Sequence, residues 1–251
     1  PAGRAEVREA GDKIKGHSPA PVAARRSGAG RGAMLPGFPM HEPAKSPEPD
    51  FATAPWRGLA PEIPGAAAEV PTMLSTEEQE LYYWLGRTAR GEGAIVDLGC
   101  FAGGSTARLA AGQAAGGTAA PIHAYDRFTM APHQQRKLLA PAGIPPLDGR
   151  DTLAAVERLL APWAGGVTLH KGELAEERWH GGPIEILVVD AAKSVALADH
   201  VAAGFMPALI GGRGLLVQQD FLHAPQPWLP AQMELLAEHF IPVAHAAPTT
   251  L

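Results

Sequence analysis

The run Ile95-Val-Asp-Leu-Gly-Cys-Phe-Ala-Gly-Gly-Ser-Thr106 combines the residue types of a ligand-binding turn. A short apolar stretch ends on Asp97, and a carboxylate inside a strand end is costly without a polar partner. Gly99 and Gly103 let the backbone turn tightly and approach a ligand closely. A helix after them offers free N–H groups, with Ser105 or Thr106 placed to cap it. Tyr125-Asp126 ends a second apolar run, where a carboxylate can accept both hydroxyls of a ribose or simply cap a loop. His170-Lys-Gly-Glu173 adds an acid that faces either a ligand or solvent. Val189-Asp-Ala-Ala-Lys-Ser194 follows the most apolar run of all, so the charge of Asp190 needs a partner. Gln218-Gln-Asp-Phe-Leu-His223 brings Asp220 and His223, with Trp228 in the same loop. His223 is either a surface residue or a base that takes an acceptor's proton.

Strands and helices must alternate to place these groups. Ser75 with Glu78 makes a capping box for a helix over 76–90. Strands are expected at Ala94–Leu98, Ile122–Tyr125, Val167–His170, Ile184–Val189, Gly214–Gln218 and Ile241–Ala244. Helices follow from Thr106, after a cap at Asp151, after a cap at Ser194 and over Trp228–His239. This order predicts an α/β fold with a doubly wound, mostly parallel sheet. Such sheets bind ligands beyond the carboxyl ends of their strands, where every acid named above falls.

The run from Asp97 to Thr106 resembles motif I of class I S-adenosylmethionine-dependent methyltransferases, in the form Asp-x-Gly-x-x-x-Gly-Gly-Ser-Thr. Phe101 stands at the usual middle glycine, as in small-molecule O-methyltransferases of the macrocin O-methyltransferase-like branch. The resemblance implies a Rossmann-like fold and S-adenosyl-L-methionine as cofactor. Asp97 and the Gly99–Gly103 turn, with Phe101, Ser105 and Thr106, would hold its methionine part. Asp126 would hold the ribose, and Glu173 and Asp190 would lie near the rest. It also implies a carboxylate after the fourth strand and an Asp-Asp pair after the fifth, holding Mg2+. Here those positions offer Asp190 and Asp220, but the pair reads Gln219-Asp220 and a histidine is replaced by Lys193. A Lys193 salt bridge to an acid competes with the metal. Class I sheets end in an antiparallel hairpin, yet only seven residues follow Ala244 and one is Pro248. The expectation is six strands, with the seventh missing and an open edge that pairs two chains into a homodimer.

Composition narrows the setting. A net charge of -5 argues against nucleic acid as a partner. One cysteine, Cys100, fits a reducing compartment and thus the cytoplasm. No apolar run has the ~20 residues of a membrane span, and residues 1–10 lack the apolar core of a secretory signal. The chain opens on Pro1, so its biological start is expected elsewhere, with Met34 a candidate. Residues 1–70, rich in Ala, Gly, Pro and Arg, read as a disordered tail with a short docking piece around Trp56; residues 71–251 read as the methyltransferase domain. Arg127–Arg150, with four prolines, is long enough for a substrate lid. The expected activity is methyl transfer to an oxygen, less readily a nitrogen, of a small-molecule acceptor, with Lys193, Asp220 and His223 as catalytic candidates. The other classes are a non-catalytic cofactor-binding module and a nicotinamide-dependent oxidoreductase. The latter is disfavoured because Phe101 breaks the Gly-x-Gly-x-x-Gly pattern and Asp97 would face a phosphate.

Overall fold

The computed structural model describes residues 50–246 and the backbone of 249–250. The expected tail over residues 1–49, including Met34, lies outside the described residues. The apolar runs form β1 (Ala94–Leu98), β2 (Ile122–Asp126), β3 (Val167–Lys171), β4 (Ile184–Val189) and β5 (Leu215–Gln218), all parallel, in the order β3-β2-β1-β4-β5. Every residue of β1 and β4 is buried, as expected of strands covered on both faces. Ile95, Ile186, Val188 and Val217 face one layer with Leu81, Leu85 and Leu109. These come from α2 (Thr76–Thr88) and α3 (Gly104–Gly116). Val96, Leu98, Leu187, Val189 and Leu216 face the other layer, with Val201 and Leu229. That layer contains α6 (Val195–Gly204) and α7 (Trp228–Leu235). Both layers are present, so the sheet is doubly wound.

Local chemistry sets the helix starts. Ser75 Oγ accepts from Glu78 N at 3.3 Å, and Ser75 N donates to Glu78 Oε2 at 2.8 Å, the expected capping box. Ser194 Oγ accepts from Leu197 N at 3.3 Å, as expected for α6. At α3 the expected Ser105 or Thr106 cap is replaced by Gly103, at φ +85°, because both hydroxyls serve Asp97 instead. Thr152 rather than Asp151 is the N-cap of α5 (Leu153–Leu159), although Asp151 Oδ1 accepts from Leu153 N.

Three expectations are corrected. Order begins well before residue 71. Trp56 is 1% exposed, and Ala67 in α1 (Gly65–Ala68) and Val70 are buried in the same core as α2 and α3. The Pro/Gly-rich segment from 50 to 75 folds as two 3-10 turns, the single-turn helix α1 and irregular chain, whose apolar residues carry no helical or strand period to read. The sheet does have a seventh strand. β6 (His245–Ala246) and β7 (Thr249–Thr250) are antiparallel, with β7 between β5 and β6 and Thr250 opposite Gln218. Two-residue strands fit where a returning strand of five would not, and the expected obstacle, Pro248, falls in residues 247–248, outside the described ones. Strand six therefore lies after 241–244, and β7 pairs with the β5 edge that was to join two chains. Finally, Arg127–Arg150 is not a loose lid: it contains α4 (Pro132–Leu138) and buries Met130, Leu139 and Ile144 against Ala102 and Ala155.

Candidate active site

The carboxyl ends of β1, β4 and β5, the glycine turn before α3 and the segment leading into α2 enclose a cavity of about 340 Å³. Asp97, Gly99, Phe101, Ser105, Asp190, Lys193 and Asp220 all line it. Of the expected site residues, Gly103 and Thr106 lie behind the wall. Gly103 packs on Leu160, and Thr106 is fully buried. Asp126, Glu173 and His223 do not line the cavity, and the last two are exposed.

Asp97 is 1% exposed. Its Oδ2 accepts from Ser105 Oγ and Thr106 Oγ1, each at 2.7 Å, while its Oδ1 is buried with no partner among the described residues. Burial pushes the carboxyl up to about 6, the two hydroxyls hold it down, and nearby Asp126 adds to the rise. An unpartnered buried acceptor on a cavity wall fits a ligand that brings a donor or a positive charge.

Asp126 fixes the turn. Its Oδ2 accepts from Phe101 N at 3.0 Å and its Oδ1 from Phe128 N at 2.8 Å. Both phenylalanines sit in the left-handed region, at φ +53° and +50°, which a bulky residue adopts only under constraint. Phe101 thus keeps the backbone conformation that favours a glycine at that position.

At the ends of β4 and β5, Lys193 Nζ lies 2.5 Å from Asp190 Oδ1 and 2.7 Å from Asp220 Oδ2. The Mg2+ expectation is corrected on this geometry. The ammonium occupies the point where the two carboxylates converge and neutralises the charge a divalent cation needs. No group of three or more His, Cys, Asp or Glu side chains suited to a metal occurs among the described residues. Burial pushes the Asp190 carboxyl up to about 6 against the pull of Lys193. Burial draws the Lys193 ammonium down, but the two carboxylates outweigh it and leave it above its ordinary value.

No spacing in the chain marks the remaining wall. Tyr82 Oη donates to Gln219 Oε1 at 3.1 Å, and Gln219 Nε2 donates to Glu78 Oε1 at 2.5 Å. Tyr82 and Glu78 lie on the apolar face of α2, where their spacing reads as core and cap. The segment Pro71–Ser75 closes the cavity from above α2. It is tied down by Arg108, a 1% exposed residue of α3. Arg108 donates to Ala68 O, Val70 O, Gly104 O and Gln79 Oε1 at 2.8 to 3.2 Å.

No family model matches the sequence, and a comparison with curated proteins finds no match. Solved structures do resemble it. A methyltransferase from Podospora anserina, PaMTH1, bound to S-adenosylhomocysteine, is 14% identical over 80% of this chain and 86% of its own, at TM-score 0.48. A protein from Klebsiella pneumoniae described as an O-methyltransferase is 13% identical over 72% of this chain and 78% of its own, at 0.47. An rRNA methylase from Streptococcus thermophilus is 15% identical over 66% and 81%, at 0.40. Five parallel strands in the order β3-β2-β1-β4-β5, closed by an antiparallel pair, are the sheet that the motif I resemblance implies. The fold is Rossmann-like. No helix among the described residues is long and apolar enough to cross a membrane.

Proposed function

We propose that this protein transfers the methyl group of S-adenosyl-L-methionine to a small-molecule acceptor in the cavity. The observation that carries this reading is Asp97 Oδ1, buried and unpartnered on the cavity wall at the end of β1. A cationic α-amino group is the complement such an oxygen needs, and the methionine part of the donor supplies one. When bound, the donor supplies an electrophilic methyl on a sulfonium. Asp97, Gly99 and Ser105 would hold its amino-acid end, with Phe101 beside them. Asp126, bonded to the Phe101 amide, keeps lone pairs that can take the ribose hydroxyls. The left-handed turn at Phe101 and the acid at Asp97 do not suit a pyrophosphate, which leaves a nicotinamide cofactor without a cradle. The chain's main task is to hold donor and acceptor at near-attack distance. Calorimetric titration with S-adenosylhomocysteine tests the reading: wild type is expected to bind, and Asp97→Ala to bind at least about tenfold more weakly, for loss of a charged hydrogen bond. Equal binding by the two would contradict it.

A further inference from the structure

We propose that a second cavity, across Pro71–Thr72 from the first, binds the zwitterion of an apolar amino acid and so steadies the wall it shares with the candidate active site. This cavity measures about 390 Å³ and lies between the chain at Glu69–Thr72, the end of α4 and the 3-10 turn Ala140–Ala142. Two side chains of opposite charge line it: Glu69, which follows α1, and Lys137, in the last turn of α4. Neither has a hydrogen-bond or ion-pair partner among the described residues, and they do not pair with each other. Elsewhere Arg57, Arg87, Lys171, Lys193 and Arg213 each pair with a carboxylate. A lone anion in the cavity would be repelled by Glu69 and a lone cation by Lys137, whereas a molecule carrying both charges satisfies both walls. The α-ammonium and α-carboxylate of a free amino acid are such a pair. Pro71, Leu138 and Pro141 supply the apolar lining on which its side chain would rest.

The shared wall couples the two cavities. Pro71 and Thr72 line both. Among the described residues, no main-chain N–H or C=O of Pro71, Thr72 or Met73 has a hydrogen-bond partner. The stretch is held at its ends and from below. Arg108 donates to Val70 O at one end; Gln79 Nε2 donates to Leu74 O at the other, at 2.9 Å, while Gln79 Oε1 accepts from Arg108. Below it lies Gly104, so close that a Cβ there would be 2.5 Å from Thr72 Cβ and 2.6 Å from Pro71 O. The wall thus rests on α3 with the second cavity beside it. A ligand that fills this cavity binds the present position of the wall better than a displaced one, and shifts the wall toward closure over the first cavity. A donor that needs the closed wall then binds more tightly, and by linkage the effect is mutual. The amino-acid site stands apart from the methyl-transfer reading; its coupling to the donor rests on that reading.

Ligand-observed NMR titration of the intact protein with leucine and phenylalanine tests the site. Exposed ion pairs are weak, so the expected Kd is about 1 mM. Glycine, leucinamide and isocaproate each lack one of the three features of leucine, and are expected to bind at least about fivefold more weakly. Glu69→Gln should erase the preference for leucine over isocaproate, and Lys137→Met the preference over leucinamide, with thermal melts unchanged. Saturating leucine should tighten S-adenosylhomocysteine binding about threefold, and S-adenosylhomocysteine should tighten leucine binding by the same factor. Absence of binding by both amino acids, or preferences that survive both substitutions, would overturn the site. Leucine binding that leaves S-adenosylhomocysteine affinity unchanged would overturn the coupling. A wild type that binds leucine but not S-adenosylhomocysteine would overturn the coupling and the methyl-transfer reading together and support the site.

Discussion

Asp97 divides its carboxylate: its Oδ2 organises the start of α3 through Ser105 and Thr106, and its Oδ1 is buried with no partner among the described residues, which is why the proposed donor is placed there. Its pH behaviour follows. The folded carboxyl is raised to about 6, above the unfolded value of about 3.9. Between those values the folded state keeps a proton that the unfolded chain has released. The stability this provides is full below about pH 4 and lost as pH rises through 6. A cationic ligand needs the ionised form, so its affinity moves the other way. S-adenosylhomocysteine is expected to bind roughly tenfold more weakly at pH 5 than at pH 7.5 in wild type, and this slope should vanish in Asp97→Asn. A slope that persists in Asp97→Asn would assign it to another group. Asp126 makes a separate prediction. Its carboxylate pins the strained amides of Phe101 and Phe128, so Asp126→Ala should lower stability by about 2 kcal/mol in a urea melt. An unchanged midpoint would mean that the turn holds itself.

At the scale of elements, α2 and α3 approach so closely that a Cβ on Gly112 would lie 2.1 Å from Tyr83 O, and one on Gly86 2.1 Å from Leu109 O. Gly112→Ala must push the helices apart and should cost about 2 kcal/mol or more; a melt within error of wild type would contradict that packing. On the neighbouring strands β2 and β3, His123 Nδ1 and His170 Nε2 lie 2.9 Å apart, with His170 stacked on Tyr125. Burial lowers both imidazoles, the neighbouring ring lowers His123 further, and Glu177 partly offsets the effect on His170. The unfolded chain takes up protons near pH 6.5 that the folded pair refuses, so stability should fall as pH drops below about 6.5. His170→Gln should flatten that fall in a thermal melt series, and an unflattened slope would place its source elsewhere. The elements were legible where local chemistry repeats: the Ser75–Glu78 box, the apolar run of β4 and the glycine turn at 99–103 can each be read from the chain alone. The Asp190–Lys193 contact was legible as an alternative to a metal, because a lysine three residues from an acid can reach it. Tyr82, Gln219 and Pro71–Ser75 were not, since their role depends on tertiary approach rather than on any spacing. The two-residue pairing at β6 and β7 is too short to leave a period in the sequence.

Over the whole molecule, the segment before α2 belongs to the domain. Trp56, Ala67 and Val70 fill its core, and the carbonyls of Ala68 and Val70 satisfy the guanidinium of Arg108, which burial lowers to about 10. Beginning the chain at Pro71 would remove those side chains and leave a buried cation short of acceptors, a loss of more than about 3 kcal/mol. A chain that begins at Asp50 is expected to melt cooperatively and one that begins at Pro71 is not; equal melts would mean that residues 50–70 contribute no net stability. The same segment positions Pro71–Ser75 over the cavity, so fold and site depend on it together. The most direct test of the central claim is therefore a calorimetric titration of the intact protein with S-adenosylmethionine at pH 7.5. The account predicts saturable one-to-one binding that Asp97→Ala weakens at least about tenfold. No heat in wild type, with the fold intact by its thermal melt, would contradict it.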